Sequence, residues 1–204
     1  MCSSDLNVAS SIAVDRISNS ILASYNENLS HEDIRNLITS SIADANLTIH
    51  DKAKTDESLS GMGTTVVAAV ISNGIAHIAH AGDSRAYFIN KDGIKQLTED
   101  HSMVQEMINK GDITEQQAKK HPQKNIITRA LGVEPSIQID YCEIKFNSES
   151  LLLICTDGLT NYIDAEQIYK LSKTMDAQSL TDKLVKLAKE CGGGDNITVV
   201  IIEN

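Results

Sequence analysis

The sequence predicts an α+β sandwich with helices on the outside. Three observations carry this. Residues 8–49 show apolar residues at helical spacing, the middle alternates apolar runs with Asn-Gly and Asp-Gly turns, and the end returns to helical spacing before a last apolar run. Antiparallel hairpins rather than βαβ units argue against a nucleotide-binding parallel sheet.

The first helix is expected around Val14, Ile17 and Ile21, with Ala9 and Ala13 as small neighbours. The second starts at Ser30, with Asp33 three residues on in a capping-box arrangement, and carries Leu37, Ile38, Ile42, Ala45 and Ile49 on one face. Residues 52–60 are polar and aperiodic and read as a loop. Strands are predicted over 64–71 and 75–80, joined by Asn73-Gly74, and over 84–89 and 94–97, joined by Asp92-Gly93; together they read as a meander that bends at Gly82. Residues 98–123 are polar with short helices, one ended by Gly111 and one capped by Thr114 with Gln117, and read as a surface flap. Further strands are expected over 126–131, 137–146 and 151–156, the last continuously apolar and therefore central. Two helices follow, one opened by Asp164 and one bearing Leu180, Leu184, Leu187 and Ala188. Gly192, Gly193 and Gly194 then lead into a strand over 197–202.

The chain has 204 residues with 18 basic and 28 acidic side chains, a net charge of −10 and a pI near 5.0. Such a length fits one domain, 1–204, that buries a core without disulfide staples. The charge excludes a nucleic-acid backbone or an anionic membrane as the main partner. No apolar run approaches the roughly 20 residues needed to cross a bilayer. Residues 1–7 lack the basic cluster and apolar stretch of a signal peptide, so a cytoplasmic location is expected. The four cysteines, Cys2, Cys142, Cys155 and Cys191, show no metal-binding spacing, and Cys155, inside an apolar run, reads as a buried thiol.

Three aspartates stand where predicted strands meet turns. Asp83 follows Ala81-Gly82, Asp157 follows the run 151–156 and precedes Gly158, and Asp195 follows the triple glycine. A carboxylate at the end of a buried strand is held on rigid backbone at the rim of the sheet. If the three converge, two carboxylates about 4 Å apart repel by roughly 4 kcal/mol at an effective dielectric near 20, so one takes a proton or a cation neutralises them. Oxygen ligands without Cys or His favour Mg²⁺ or Mn²⁺ over Zn²⁺, and two such ions would activate a water for attack on phosphorus. Asp-Gly is a common turn pair, any one of these aspartates taken singly reads first as a structural cap, and spacing alone does not prove convergence.

Other candidates weigh less. His77 and His80 lie three apart in a strand, face opposite sides and cannot share a metal. His101 reads as structural or cleft-lining, Arg85 as a local buttress of the Asp83 turn, and Arg129 as a residue that reaches toward the cleft. Ser84 and Ser102 lack a His-Asp partner set for a serine hydrolase.

Six segments in order then carry a resemblance. They are Thr64-Thr65 after Gly61-Met62-Gly63, Ala81-Gly82-Asp83-Ser84-Arg85, Leu97-Thr98-Glu99-Asp100-His101-Ser102, Ile127-Thr128-Arg129-Ala130-Leu131-Gly132, Thr156-Asp157-Gly158-Leu159 and Gly194-Asp195-Asn196-Ile197-Thr198-Val199. Together they resemble the metal-dependent protein serine/threonine phosphatases of the protein phosphatase 2C family, in its compact bacterial form. The resemblance implies a four-layer α-β-β-α sandwich of two antiparallel sheets flanked by helices, with Mn²⁺ or Mg²⁺ at one edge. Asp157 and Asp195 match ligands of the first of two core ions, and Asp83 and Asp157 match ligands of a third. Residues of about 100–123 match the flap beside the substrate cleft. The implied reaction is in-line attack of a metal-activated water on phosphoserine or phosphothreonine, without a phosphoenzyme. The implied partners are phosphorylated proteins, substrates of a serine/threonine kinase, met by a monomer.

The resemblance fails at the start. Family members open with strands carrying an Arg, an Asn-Glu-Asp triplet and Asp-Gly-Met-Gly-Gly-His, which supply the second ion's ligand, the bridging aspartate, the phosphate-holding arginine and a proton-donating histidine. Here residues 8–11 already resemble the helix that follows those strands, nothing in 1–7 matches, and Asp5 does not fall on the bridging position. The N-terminal strands are expected to be missing, so these residues hold part of the metal cage, with weak or no turnover. The alternatives are a truncated phosphatase, a catalytically dead binding module, and a partly folded fragment.

Overall fold

The computed structural model describes residues 3–203, with side chains from Asn7 on; Cys2 and the side chain of Asp5 lie outside the described residues. The chain is α+β and divides into two compact units, Met1–Gly82 with Asp100–Glu143, and Asp83–Glu99 with Ile144–Asn204.

The first unit is built on two long helices, α1 (Ser3–Ser24) and α2 (His31–Thr55), and an antiparallel sheet of β1 (Val66–Ser72), β2 (Ile75–Ala81) and β5 (Asp140–Lys145) in the order β1-β2-β5. Ala9, Ala13 and Ile17, four apart, bury one stripe of α1 against Ile34, Ile38, Ile42, Ala45 and Ile49 of α2. Val14, a quarter-turn or so round from that stripe, is 66% exposed, which corrects its assignment to the buried face. Ser30 caps α2: its Oγ accepts from the Asp33 N–H (3.1 Å), and Asp33 Oδ2 accepts in return from the Ser30 N–H (3.1 Å). α2 runs on to Thr55 and is followed by a 3₁₀ turn, Glu57–Leu59, so the polar stretch predicted as a loop is partly helical. β1 and β2 pair around Asn73-Gly74, whose positive φ values of 50° and 75° are those of a two-residue hairpin turn.

The same unit holds the polar segment, with α3 (Met103–Lys110) and α4 (Glu115–Ala118). Ser102 Oγ caps α3, Gly111 ends it at φ 80°, and Thr114 with Gln117 forms a capping box on α4. Residues 126–131, expected as a strand, make only isolated bridges, Ser102↔Ile127 and Thr64↔Leu131. Ile126 and Ile127 are exposed, so this apolar run answers no sheet face.

The second unit carries the antiparallel sheet β4-β3-β6-β7, made of β3 (Arg85–Asn90), β4 (Gly93–Gln96), β6 (Leu151–Cys155) and β7 (Val199–Glu203). β6 is an interior strand, as its unbroken apolar character requires. α5 (Asp157–Thr160) follows it directly, then α6 (Ala165–Ser172), capped by Asp164, and α7 (Ala177–Cys191). Leu180, Leu184 and Ala188 of α7 pack with Tyr87, Ile89, Leu153, Leu159 and Ile168 in a core of their own. The four strands 64–97 are therefore not one meander. β2 and β3 belong to different sheets, and the chain passes between them at Gly82, whose φ is 117°.

Candidate metal centre

Asp157 sits two residues beyond the end of β6, at the first position of α5. Thr156 fixes it from behind: its N–H donates to the Thr198 carbonyl (3.2 Å), its Oγ1 accepts from the Thr198 N–H (3.1 Å), and its hydroxyl donates to the Asn196 carbonyl (3.2 Å). These three bonds strap the residue before Asp157 to the two residues that flank Ile197. Gly158 permits the closeness, because a Cβ there would stand 2.3 Å from the Asn196 oxygen.

Asp195 reaches the same place from the other side. Gly192 caps α7 and Gly193, at φ 54°, takes the left-handed turn that ends it, so the triple glycine serves as a helix terminator leading into β7. Asp195 Oδ1 accepts from the Asn196 N–H (2.7 Å), while Asp157 Oδ2 accepts from Asn161 Nδ2 (3.2 Å). Burial first, and then the charge of Asp195, push the Asp157 carboxyl above its ordinary range. The Gly158 N–H, the Asn161 amide and the Arg85 guanidinium pull the other way and do not prevail. The structure thus brings Asp157 and Asp195 close enough to repel.

Asp83 belongs to the same end of the same sheet. β3 and β6 pair with Arg85 opposite Cys155, the last pair of the ladder, and Asp83 and Asp157 lie two residues outside it at that end of the sheet. The two groups of three ligating side chains that converge within 4.8 Å among the described residues are histidine-based and do not include these aspartates. Arg85 donates to the Tyr87 hydroxyl (3.1 Å) and places its charge on Asp157. Its reach is therefore wider than the local buttress read from sequence, and no sequence signal gave it, because the pairing of residue 85 with residue 155 appears only in the folded sheet. The donor set, a half-buried Asp157 carboxylate raised in part by the charge of the exposed Asp195, offers only oxygen and fits a hard divalent cation.

His101 is a structural residue of the first unit. Its Nδ1 accepts from the Gly82 N–H (3.0 Å), and its main chain bonds Gly82 and Thr128. That bond leaves the proton of the neutral ring on Nε2, which faces Asp140 Oδ2 at 3.4 Å. Asp140 Oδ1 also accepts from Arg129 Nη1 (2.9 Å), so Arg129, expected near a cleft, is spent on this ion pair. His80 stacks on His101 with centroids 4.7 Å apart. Burial, then Arg129 and His80, hold the His101 pKa below its usual 6.5 against the pull of Asp140. Burial would raise Asp140, but the bonds from His101 and Arg129 outweigh it and hold it below 3.8. A histidine depressed in the fold binds fewer protons there than in the unfolded chain, so stability is lost as pH falls below the unfolded value near 6.5. Melting temperature should drop through that range and the Asp140 share should follow below 3.8. His101→Gln should flatten the upper part of the profile; an unchanged slope would sink the assignment.

Comparison with known proteins identifies the family. The protein phosphatase 2C family model matches residues 4–190. The serine/threonine phosphatase stp of Listeria innocua is 40% identical over 178 residues, 86% of this chain and 70% of that protein. The crystal structure of the serine/threonine phosphatase Stp1 from Staphylococcus aureus superposes with a TM-score of 0.92 at 33% identity, over 97% of this chain and 77% of that one. The catalytic domain of the serine/threonine protein phosphatase PstP, solved in complex with two manganese ions, gives a TM-score of 0.84 at 25% identity over 97% of this chain and 80% of its own. The chain belongs to the protein phosphatase 2C family of metal-dependent protein serine/threonine phosphatases.

Proposed function

We propose that Asp157 and Asp195 hold a catalytic Mn²⁺ or Mg²⁺, that Asp83 with Asp157 holds a further ion, and that the centre serves hydrolysis of phosphoserine and phosphothreonine in proteins. The observation that carries this is the strap by which Thr156 holds the Asp157 turn to Asn196 and Thr198, beside Asp195, so that burial and the Asp195 charge both push the Asp157 carboxyl up. When bound, the ion supplies the Lewis acidity that activates a water for attack on the phosphoester phosphorus. The chain's own residues do the positioning. Thr156 locks the ligand-bearing turn to the start of β7, Asn161 orients Asp157 by its amide, and Arg85 offsets part of the carboxylate charge. The flap of about 100–123 is proposed to border the phosphoprotein, whose phosphate comes from a serine/threonine kinase. Since one family model spans residues in both compact units, we read 1–204 as one phosphatase domain, monomeric and cytoplasmic.

The 204 residues contain neither Asn-Glu-Asp nor Asp-Gly-Met-Gly-Gly-His. A chain limited to them carries part of the cage, which also supports reading it as a phosphoprotein-binding module. Titration with Mn²⁺ and assay on a phosphothreonine peptide, with and without chelator, test this directly. The expected result is metal binding with weak or no turnover. Strong chelator-sensitive turnover would show that these residues suffice, and failure to bind Mn²⁺ would overturn the ligand assignment.

A further inference from the structure

A second set of ligating side chains lies in the first unit, on the opposite side of β2 from His80. His31 is the first residue of α2, His77 lies in the middle of β2, and Glu143 lies on β5. One nitrogen from each imidazole and one carboxylate oxygen lie within 4.8 Å of one another. His31 Nδ1 faces His77 Nε2 at 3.4 Å, with the rings stacked at 5.3 Å. His77 is fully buried while Glu143 is half exposed, its Oε2 3.8 Å from His77 Nδ1. Tyr141 links them: its hydroxyl donates to Glu143 Oε2 (3.2 Å) and its oxygen lies 2.6 Å from His77 Nδ1.

We propose that His31, His77 and Glu143 form a binding site for a divalent transition cation, Zn²⁺ by donor type, that fastens the first turn of α2 to strands β2 and β5. Two nitrogens each about 2.0–2.1 Å from a tetrahedral zinc stand about 3.3–3.4 Å apart, the separation found between the two imidazoles. With the Tyr141 proton turned to Glu143, His77 Nδ1–H donates to the phenol oxygen and Nε2 is left as the lone-pair atom that faces His31. This outer bond is the kind that fixes the tautomer of metal-binding histidines. Burial, against the pull of Glu143, lowers the His77 pKa and keeps the ring neutral, while burial and Glu143 push Tyr141 up to about 12 and keep it a phenol. The exposed Glu143 carboxylate turns to fill a third position, and water takes the fourth. Imidazole with one carboxylate selects zinc over the hard ions suited to Asp157 and Asp195.

The other histidine group, His80, His101 and Asp140, carries no such inference. Arg129 Nη1 stands 3.0 Å from His101 Nε2 and on Asp140, so a fixed cation already fills that position.

The test is zinc calorimetry on the whole chain carrying Asp157→Asn and Asp195→Asn, which silences the acidic centre. One equivalent of Zn²⁺ should bind in the presence of excess Mg²⁺, and Co²⁺ in its place should show the visible absorption of a tetrahedral nitrogen–oxygen site. His31→Ala, a change on an exposed residue that leaves the fold intact, should weaken zinc at least about 10-fold and abolish the cobalt spectrum. Absence of zinc binding in the Asp-silenced chain, or affinity unchanged in His31→Ala, would overturn the proposal.

Discussion

Asp157→Asn should move metal affinity and metal-free stability in opposite directions. Removing a direct carboxylate ligand is expected to weaken Mn²⁺ binding by about 100-fold or more, since loss even of a ligand's hydrogen-bond partner costs about 10–100-fold. In chelator the same change relieves the repulsion between positions 157 and 195 that, after burial, holds the Asp157 carboxyl up. The amide also keeps an oxygen to accept from Asn161 Nδ2, so little is lost in exchange. The metal-free melting temperature should rise by about 2–4 °C, the equivalent of roughly 1 kcal/mol at this chain length. A structural capping aspartate behaves otherwise: its loss lowers stability with or without metal. Calorimetric unfolding in chelator and Mn²⁺ titration therefore separate the two roles in one variant. A metal-free melting temperature that falls, or an unchanged Mn²⁺ affinity, would return Asp157 to an ordinary turn residue.

Much of this arrangement was legible in the sequence wherever the deciding interaction is local. Capping at Ser30, Thr114 and Asp164 depends on residues three apart, and the Asn73-Gly74 hairpin on two φ values that those residue types favour. The interior place of β6 follows from its lack of a polar face. What failed to show depends on partners distant in the chain. Residues 126–131 have strand composition, yet strand formation requires a neighbouring edge, and only single bridges to residues 102 and 64 are available. The break of the meander at Gly82 is invisible because a tight bend and a change of sheet use the same glycine; the sheets are told apart by β2 pairing with β5 and β3 with β6. The aspartates drew notice in the sequence because each stands beside glycine near a strand end, whereas the strap that joins the segments of Asp157 and Asp195 runs through Thr156, a residue with no distinguishing spacing. His31 and Glu143 were equally silent, since a helix start and an edge strand meet only in the folded unit.

Gly158→Ala sets helix propensity against packing, and packing should win. Gly158 is the second residue of α5, where alanine is favoured by about 0.5–1 kcal/mol on backbone grounds. The added Cβ, however, would lie 2.3 Å from the Asn196 oxygen, 3.0 Å from its carbonyl carbon and 3.3 Å from Ile197 Cγ1. The first two are backbone atoms, so no rotamer change relieves the contact and the segment carrying Asp195 has to move. The same carbonyl accepts the Thr156 hydroxyl, so displacement also breaks the strap. Overpacking of this kind costs about 1–3 kcal/mol, and the melting temperature should fall by about 2–10 °C. Because the residue that moves is joined to Asp195, Mn²⁺ affinity should fall at least about 10-fold although no ligand is altered. Gly194→Ala is the matched control: its Cβ meets only the Tyr162 hydroxyl at 3.5 Å, an ordinary contact, so stability and Mn²⁺ affinity should stay near wild type. If Gly158→Ala binds Mn²⁺ as tightly as wild type, the close approach of these two segments is not what positions the ligands, and the centre tolerates a looser spacing than the strap implies.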